Sequence, residues 1–274
     1  MLKVLLVLRN SSDATYILSQ LEVIEGVKLK VVLESGRVAR RKKLKRMLKG
    51  GFFHKLYVMV AQLPLLIVYD RSMKFLMFRS FKPRKLNYEF DTLKIDDVND
   101  HKFTTLVEEF KPSLLMSYGS ALYSTYTLSQ ISFPILNLHT GILPKYRNVH
   151  TDFWAYVNYD HRNIGVTLFR LTEKIDDGLI IREVRSDVSD QDFLWTIKKR
   201  NLETVLKIIK ESIEESRTSI LYEEIVNPPF SDGIDTRRLW PTPSASDLLN
   251  YFKLESRKFL KKQSPISLKF RKQT

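Results

Sequence analysis

Unbroken apolar runs alternate with amphipathic segments along most of this chain. Lys3 to Leu8 is apolar after its first residue and reads as a buried strand. Ser11 or Ser12 can cap a helix through Ala14 to Leu21, because a serine hydroxyl accepts from the free amides of a first turn. Val27 to Leu33 alternates lysine with valine and leucine, the two-residue period of a second strand. Phe103 to Phe110 has helical spacing, with Val107 and Phe110 inward and Glu108 and Glu109 outward; Pro112 ends it. Ser113 to Ser117 is another buried strand, Tyr118 to Leu122 a turn, and Thr125 to Gln130 a helix leading into the apolar run Pro134-Ile135-Leu136. A helix over Asp152 to Asn158 follows, then strands over Gly165 to Leu171 and Ile180 to Val188, and an amphipathic helix over Asp192 to Glu214. Strand and helix alternate from the first residue, which predicts α/β architecture: an open, mostly parallel sheet with helices on both faces. The expected units are residues 1–215, with a helical insertion over about 36–81, and a basic C-terminal appendage over 216–274. Pro228-Pro229 and Ser231-Asp232-Gly233 mark the linker, and a helix is expected around Ser246 to Phe252.

The insertion has two unlike halves. Arg37 to Lys49 is dominated by cations, including Arg40-Arg41-Lys42-Lys43 and Lys45-Arg46. Charge density alone leaves open a solvated helix face, a mobile loop, a membrane-surface patch or a nucleic-acid patch. Phe52 to Phe81 is strongly apolar, most densely from Leu56 to Tyr69. That dense run is shorter than the ~20 residues of a spanning helix, and Pro64 interrupts it. A buried helical insertion is therefore expected, with peripheral membrane contact as a second reading.

Composition narrows the classes further. The net charge of +14 favours anionic partners such as nucleotide diphosphates, nucleic acid or an acidic membrane surface. The absence of cysteine excludes disulfides, zinc–thiolate sites and cysteine nucleophiles. The apolar start is short and no small-residue cleavage site follows it, so it reads as a strand, and a cytoplasmic location is expected. The loop after the first strand contains no glycine, which argues against a dinucleotide fingerprint. His54, His101 and His161 are scattered without a ligand pattern, and no metal site is expected.

The chemistry concentrates after Pro134-Ile135-Leu136. Asn137 and His139 stand two residues apart, so a strand directs both side chains to the same side. Leu143-Pro144 then prevents the strand from continuing. An amide and an imidazole at the carboxyl end of a strand lie where open α/β sheets bind ligands, and both can donate to one developing oxyanion. They can equally satisfy local backbone groups.

Asn137-Leu138-His139, the Leu143-Pro144 pair, Arg147, Gly165-Val166-Thr167 and Asp176-Asp177-Gly178-Leu179-Ile180 together resemble the folate-dependent formyltransferases. The resemblance runs from about Leu114 to Ile181 and is strongest toward bacterial enzymes that formylate nucleotide-linked amino sugars. It implies a Rossmann-like catalytic domain and 10-formyl-tetrahydrofolate as co-substrate. Asn137 and His139 would hold the oxyanion, while Asp176 would orient the imidazole or accept the amine proton. Asp176 is preferred to Asp177 because it lies two residues before Gly178 and four before Ile180; an ordinary Asp-Asp-Gly turn is the alternative. The donor pocket implied by the resemblance is Tyr118, Gly119, Ser120, Ala121 and Leu122, with Ile175 and Gly178 as the other wall; core packing is an alternative for Leu122. Lys145, Tyr146, Arg147, His150 and Trp154 are candidate acceptor contacts, through phosphate pairing and aromatic packing, or form a loop with no such duty.

A nucleotide-linked amino sugar is the expected acceptor, and no stable nucleic-acid complex is expected. Initiator methionyl-tRNA is the alternative, kept by the basic charge. A non-catalytic basic module that binds membrane or nucleic acid is the reading from a different class. A homodimer through the tail or the apolar insertion stays open. Gly141-Ile142 and Asn148 depart from the family's usual residues, which bears on the acceptor more than on the reaction.

Overall fold

Apolar strands and amphipathic helices assemble into a seven-stranded sheet in the computed structural model, which describes residues 1–22, 24–79, 90–217 and 238–263. The strands are β1 (Leu2–Arg9), β2 (Val27–Glu34), β3 (Asp91–Ile95), β4 (Leu114–Tyr118), β5 (Leu136–His139), β7 (Gly165–Arg170) and β8 (Ile180–Arg185), in the order β3-β2-β1-β4-β5-β7-β8. Five consecutive positions, β3 through β5, are parallel; β7 runs antiparallel to β5, and β8 antiparallel to β7. The chain moves from β1 to β2 and β3 on one side and to β4 and β5 on the other. The crevice between the carboxyl ends of β1 and β4 is thus the topological switch point, where such sheets take ligands. The edge strand β3 is not among the strands that the apolar runs predict.

Alternate residues of the central strands feed two cores. Leu6, Leu8, Met116, Leu136 and Leu138 pack with α1 (Ser12–Gln20) and α8 (Leu194–Glu215). Leu5, Val7 and Leu115 pack on the other face with Phe103, Val107 and Phe110 of α5 (His101–Phe110). Helix α8 turns Leu194, Ile197, Leu202, Val205, Ile209 and Ile213 inward at three- to five-residue steps, as its sequence period requires. Ser11 caps α1 by accepting from the Ala14 amide, and Asp100 caps α5 by accepting from that of Lys102.

A third core lies beyond the sheet. It joins Leu66, Tyr69 and Met73 to Phe153 and Trp154 of α7 (Thr151–Val157) and to Trp240, Leu248 and Tyr251. Tail residues 238–263 therefore return to the main body. Their strand β9 (Leu239–Trp240) pairs in parallel with β6 (Arg147–Asn148), and α9 (Ala245–Gln263) packs on the insertion. That helix is much longer than the sequence expectation around Ser246 to Phe252. The linker signals Pro228-Pro229 and Ser231-Asp232-Gly233 lie outside the described residues.

Among the described residues, three helices stand between β2 and β3: α2 (Arg37–Met47), α3 (Phe52–Tyr57) and α4 (Leu63–Phe78). The expectation of a buried apolar insertion is corrected here. A π turn over Val58–Gln62 joins α3 to α4, so the helix runs unbroken for 27 residues, Phe52–Phe78. Pro64 falls in the first turn after this wider loop, where its missing amide interrupts nothing essential. Val58, Leu66, Tyr69, Met73 and Met77 face inward, while much of the remaining apolar surface is exposed.

Candidate active site

At the carboxyl end of β5, Leu136 and Leu138 enter the core, leaving Asn137 and His139 to the opposite face. Register places Asn137 beside Ser117 of β4 and His139 beside Thr167 of β7. The Asn137 side chain is half-buried and has no hydrogen-bond partner among the described residues. His139 is 9% exposed, and its Nε2 lies 2.8 Å from the Tyr146 carbonyl oxygen. A carbonyl can only accept, so Nε2 carries hydrogen and the tautomer is fixed. Nδ1 then faces Oδ2 of Asp176 at 3.6 Å, an ion-pair distance longer than a hydrogen bond. Doubly protonated, the ring would commit one donor to the backbone and hold the other, Nδ1–H, beside the carboxylate but beyond hydrogen-bond reach of it, open to a third group.

The loops around this pair are braced from several directions. Thr167 Oγ1 donates to the Gly141 carbonyl, and Thr151 Oγ1 donates to that of Thr140. The Leu143–Pro144 peptide is cis. Asp176 takes a left-handed φ of 45° and accepts the Asn148 amide at 2.7 Å; a non-glycine residue holds such a backbone only where its surroundings fix it. Gly178 packs against the Arg170 carbonyl so closely that an added Cβ would stand 1.6 Å from its oxygen.

The predicted donor loop, Tyr118 to Leu122, lies at the switch point. Arg9 Nε donates to the Gly119 carbonyl, and Ala121 donates its amide to Glu34 Oε2 at 2.8 Å. The hydroxyls of Ser117 and Ser120 are 2.7 Å apart. Gly119 has φ 68°, a turn conformation suited to glycine. Leu122 is 49% exposed, which removes core packing as the reason for it. Ile175 offers its carbonyl to Arg147.

Glu34 is a fully buried residue that the sequence pattern did not single out. Burial raises its pKa, opposed mainly by Arg9, and among the described residues its Oε1 has no hydrogen-bond partner. Because the folded value is raised, the group's stabilising contribution is complete at low pH and is lost as pH rises through that value. Glu34→Gln, which keeps an acceptor for Ala121, is therefore expected to gain stability relative to wild type as pH climbs above 4.5, measured by urea unfolding across pH. Glu34→Ala is expected to cost about 1–3 kcal/mol by orphaning that amide.

The acceptor-side expectations need correction. Arg147 is buried and directs its guanidinium to the Ile175 carbonyl and to Asp177 at 3.4 Å, so it clamps the Asp176 loop instead of offering a phosphate fork. Tyr146 and Trp154 are also buried. They sandwich Trp240 at 5.2 and 5.1 Å, and the Trp154 indole N–H donates to the Pro241 carbonyl. Of the five predicted contacts, Lys145 and His150 keep partly exposed side chains; Lys145 pairs with Asp160 at 2.6 Å. His150 lies against Tyr69, its ring centroid 6.2 Å away. Desolvation, reinforced by Lys43 and Lys198, holds it well below the usual 6.5. A depressed imidazole pKa means stability is lost as pH falls below that value. Wild type should therefore lose stability between pH 6.5 and 5 with a slope that His150→Gln lacks, read by chemical denaturation.

Asn148, Tyr69 and Trp240 are site-supporting residues that sequence reasoning missed. The departure at Asn148 was visible, but its link to Asp176 was not; Tyr69 and Trp240 reach the site from distant segments and carry no local signal. A cavity of about 490 Å³ lined by Thr104, Lys111, Gln130 and Phe133 lies beside the segments that enter β4 and β5, at the opposite end of those strands from the Asn137–His139 pair.

The model of the family described as formyl transferase matches residues 70–213. A methionyl-tRNA formyltransferase of Chlorobium chlorochromatii is 30% identical over 163 residues, which is 56% of this chain and 50% of that protein. A bifunctional polymyxin resistance protein, ArnA, of Wigglesworthia glossinidia brevipalpis is 26% identical over 53% of this chain and 22% of its own length. The chain thus matches half or less of these curated relatives' length. Among solved structures, a sugar N-formyltransferase from a Shewanella species shares the fold with a TM-score of 0.53 at 13% identity, covering 92% of this chain and 88% of that one. Phosphoribosylglycinamide formyltransferase from Anaplasma phagocytophilum gives 0.52 at 14%, covering 81% and 88%. With more than half its length matched by the family model, on the segment that holds Asn137, His139 and Asp176, this chain belongs to the formyl transferase family.

Proposed function

We propose that this protein moves a formyl group from 10-formyl-tetrahydrofolate to the primary amine of a nucleotide-linked amino sugar. The observation that carries the reading is the cluster at the end of β5, where His139 is held between the Tyr146 carbonyl and Asp176 with Asn137 on the same strand face. The donor supplies an activated formyl carbon. Asn137 donates its amide hydrogen to the carbonyl oxygen as the amine attacks, and Nδ1–H of imidazolium His139 donates to the same atom. Asp176 stabilises that imidazolium and receives the proton leaving the attacking nitrogen. As the carbon–nitrogen bond to the donor breaks, that proton passes to the donor nitrogen, giving the N-formyl product and tetrahydrofolate. The half-exposed Leu122 and the backbone of residues 119–121 suit the flat, amide-rich pterin.

Support for a sugar acceptor is the shared fold over nearly the full length of the Shewanella sugar enzyme. A second reading, initiator methionyl-tRNA, is favoured by the 30% identity to a tRNA formyltransferase and by the basic charge. Formyl transfer to a panel of UDP-, dTDP- and GDP-linked amino sugars, alongside charged initiator tRNA, decides between them by product mass. One formylated sugar nucleotide supports the proposal. A formylated tRNA with steep salt dependence replaces it.

A further inference from the structure

Between Glu34 and Asp70 the chain carries no carboxylate. Helix α2 buries no residue and exposes Arg37, Arg40, Arg41, Lys42, Lys45 and Arg46. Gly50-Gly51 then turns the chain, and His54 Nε2 meets the Met47 carbonyl at 2.9 Å, fixing the basic helix to the start of the apolar one. Opposite its buried side, the Phe52–Phe78 helix presents Phe53 at 84% exposure, Val60 at 68%, Ile67 at 50% and Phe75 at 69%. Those positions, with Leu56, recur at steps of three, four, seven and eight residues and make one stripe, interrupted between Ile67 and Phe75 by the exposed Arg71. A surface helix in water carries polar groups along such a face, and a stripe this rich in exposed aromatic and aliphatic side chains marks a contact surface.

The helix is long enough to cross a membrane, yet its inner face prevents this arrangement. Tyr69 packs edge-on against Phe153 and Tyr251 at 5.6 and 5.4 Å, and Gln62 donates to the Pro243 carbonyl. The helix lies flat on the protein with its apolar side outward and cations beside it, an interfacial arrangement. We infer that α2 and the outer face of the Phe52–Phe78 helix dock on an anionic lipid membrane, the aromatic stripe entering the headgroup boundary while the α2 cations pair with headgroup phosphates. Charge selects lipid over a second copy. A two-fold contact through this face would bring two sets of eight cations, from Arg37 through Lys49, toward each other without an acid in the segment.

The test is flotation of the full-length protein with phosphatidylcholine vesicles and with vesicles containing phosphatidylglycerol. Binding to the anionic vesicles, weakened by salt, is the expected result. Replacing Arg41, Lys42, Lys45 and Arg46 by Gln should weaken it by at least roughly tenfold. Phe53→Ser with Phe75→Ser should do the same with unchanged thermal unfolding, since both side chains are exposed. The inference is overturned if wild type stays unbound to both vesicles, or if both variants bind as well as wild type. A dimer abolished by the Phe variants, without flotation, likewise overturns it. None of these readouts uses formyl transfer, so failure here leaves the proposed reaction standing.

Discussion

His139→Ala is expected to lower kcat by about 10³-fold, with much smaller changes in KM for either substrate. In the proposed mechanism the side chain holds a donor for an oxygen that becomes negative only during attack, so its loss falls on the transition state. The Tyr146 carbonyl fixes which nitrogen serves: Nε2 is committed at 2.8 Å, leaving Nδ1 beside Asp176. Removal of the ring orphans that carbonyl as well, at a cost of about 1–3 kcal/mol, so turnover is compared where thermal unfolding shows both proteins folded. Asp176→Asn separates the roles. An amide oxygen can still accept from Asn148 and hold the loop, but it neither stabilises an imidazolium by charge nor takes a proton. Its kcat should fall by about 100-fold with stability nearly unchanged. Wild-type turnover in either variant would remove the assigned mechanism.

Gly178→Ala should be comparably damaging through the backbone. A methyl group there meets the Arg170 oxygen at 1.6 Å and its carbonyl carbon at 2.8 Å, atoms fixed at the end of β7. The Arg170 amide is also bonded to the Leu179 carbonyl at 2.8 Å, so neither strand can withdraw cheaply. Relief requires the 175–178 loop to move, and Asp176 moves with it. A stability loss of about 3 kcal/mol is expected from overpacking, read by urea unfolding. Displacement of the carboxylate by about 1 Å should cost a further ~100-fold in kcat. Gly51→Ala is the control: among the described residues nothing lies within 4 Å of its Cβ position and its φ is −69°, so stability and turnover should stay near wild type. Equal stability of Gly178→Ala and wild type would show that the loop is not locked against β7.

The parts of this fold legible in sequence are those whose pattern is local. Apolar continuity in Leu5 to Leu8, the period of α8 and the serine cap of α1 each act over one element. Asp91 to Ile95 was illegible because a short edge strand is half-exposed and too brief to set a period. The apolar run Phe52 to Phe81 predicts burial, yet the Phe52–Phe78 helix leaves a broad face exposed, because hydrophobicity reports a preference to leave water without saying what will cover it. Pro64 reads as an interruption in sequence, but the π turn just before it absorbs a break that a regular helix cannot.

At the site, sequence alone determined that Asn137 and His139 share one side of β5, since strand alternation admits no other result. It also placed the pair at a carboxyl strand end, because the apolar run Pro134-Ile135-Leu136 enters before it and Leu143-Pro144 stops the strand after it. Tertiary structure alone decided the rest. Arg147, Tyr146 and Trp154 have side chains fit for an acceptor, yet Asp177, Trp240 and the Pro241 carbonyl, all distant in sequence, occupy them. Which nitrogen of His139 is free likewise depends on a carbonyl brought back by the Leu143–Pro144 turn. A residue's chemical capacity is local, but whether that capacity remains available depends on which groups folding brings within 3–4 Å of it.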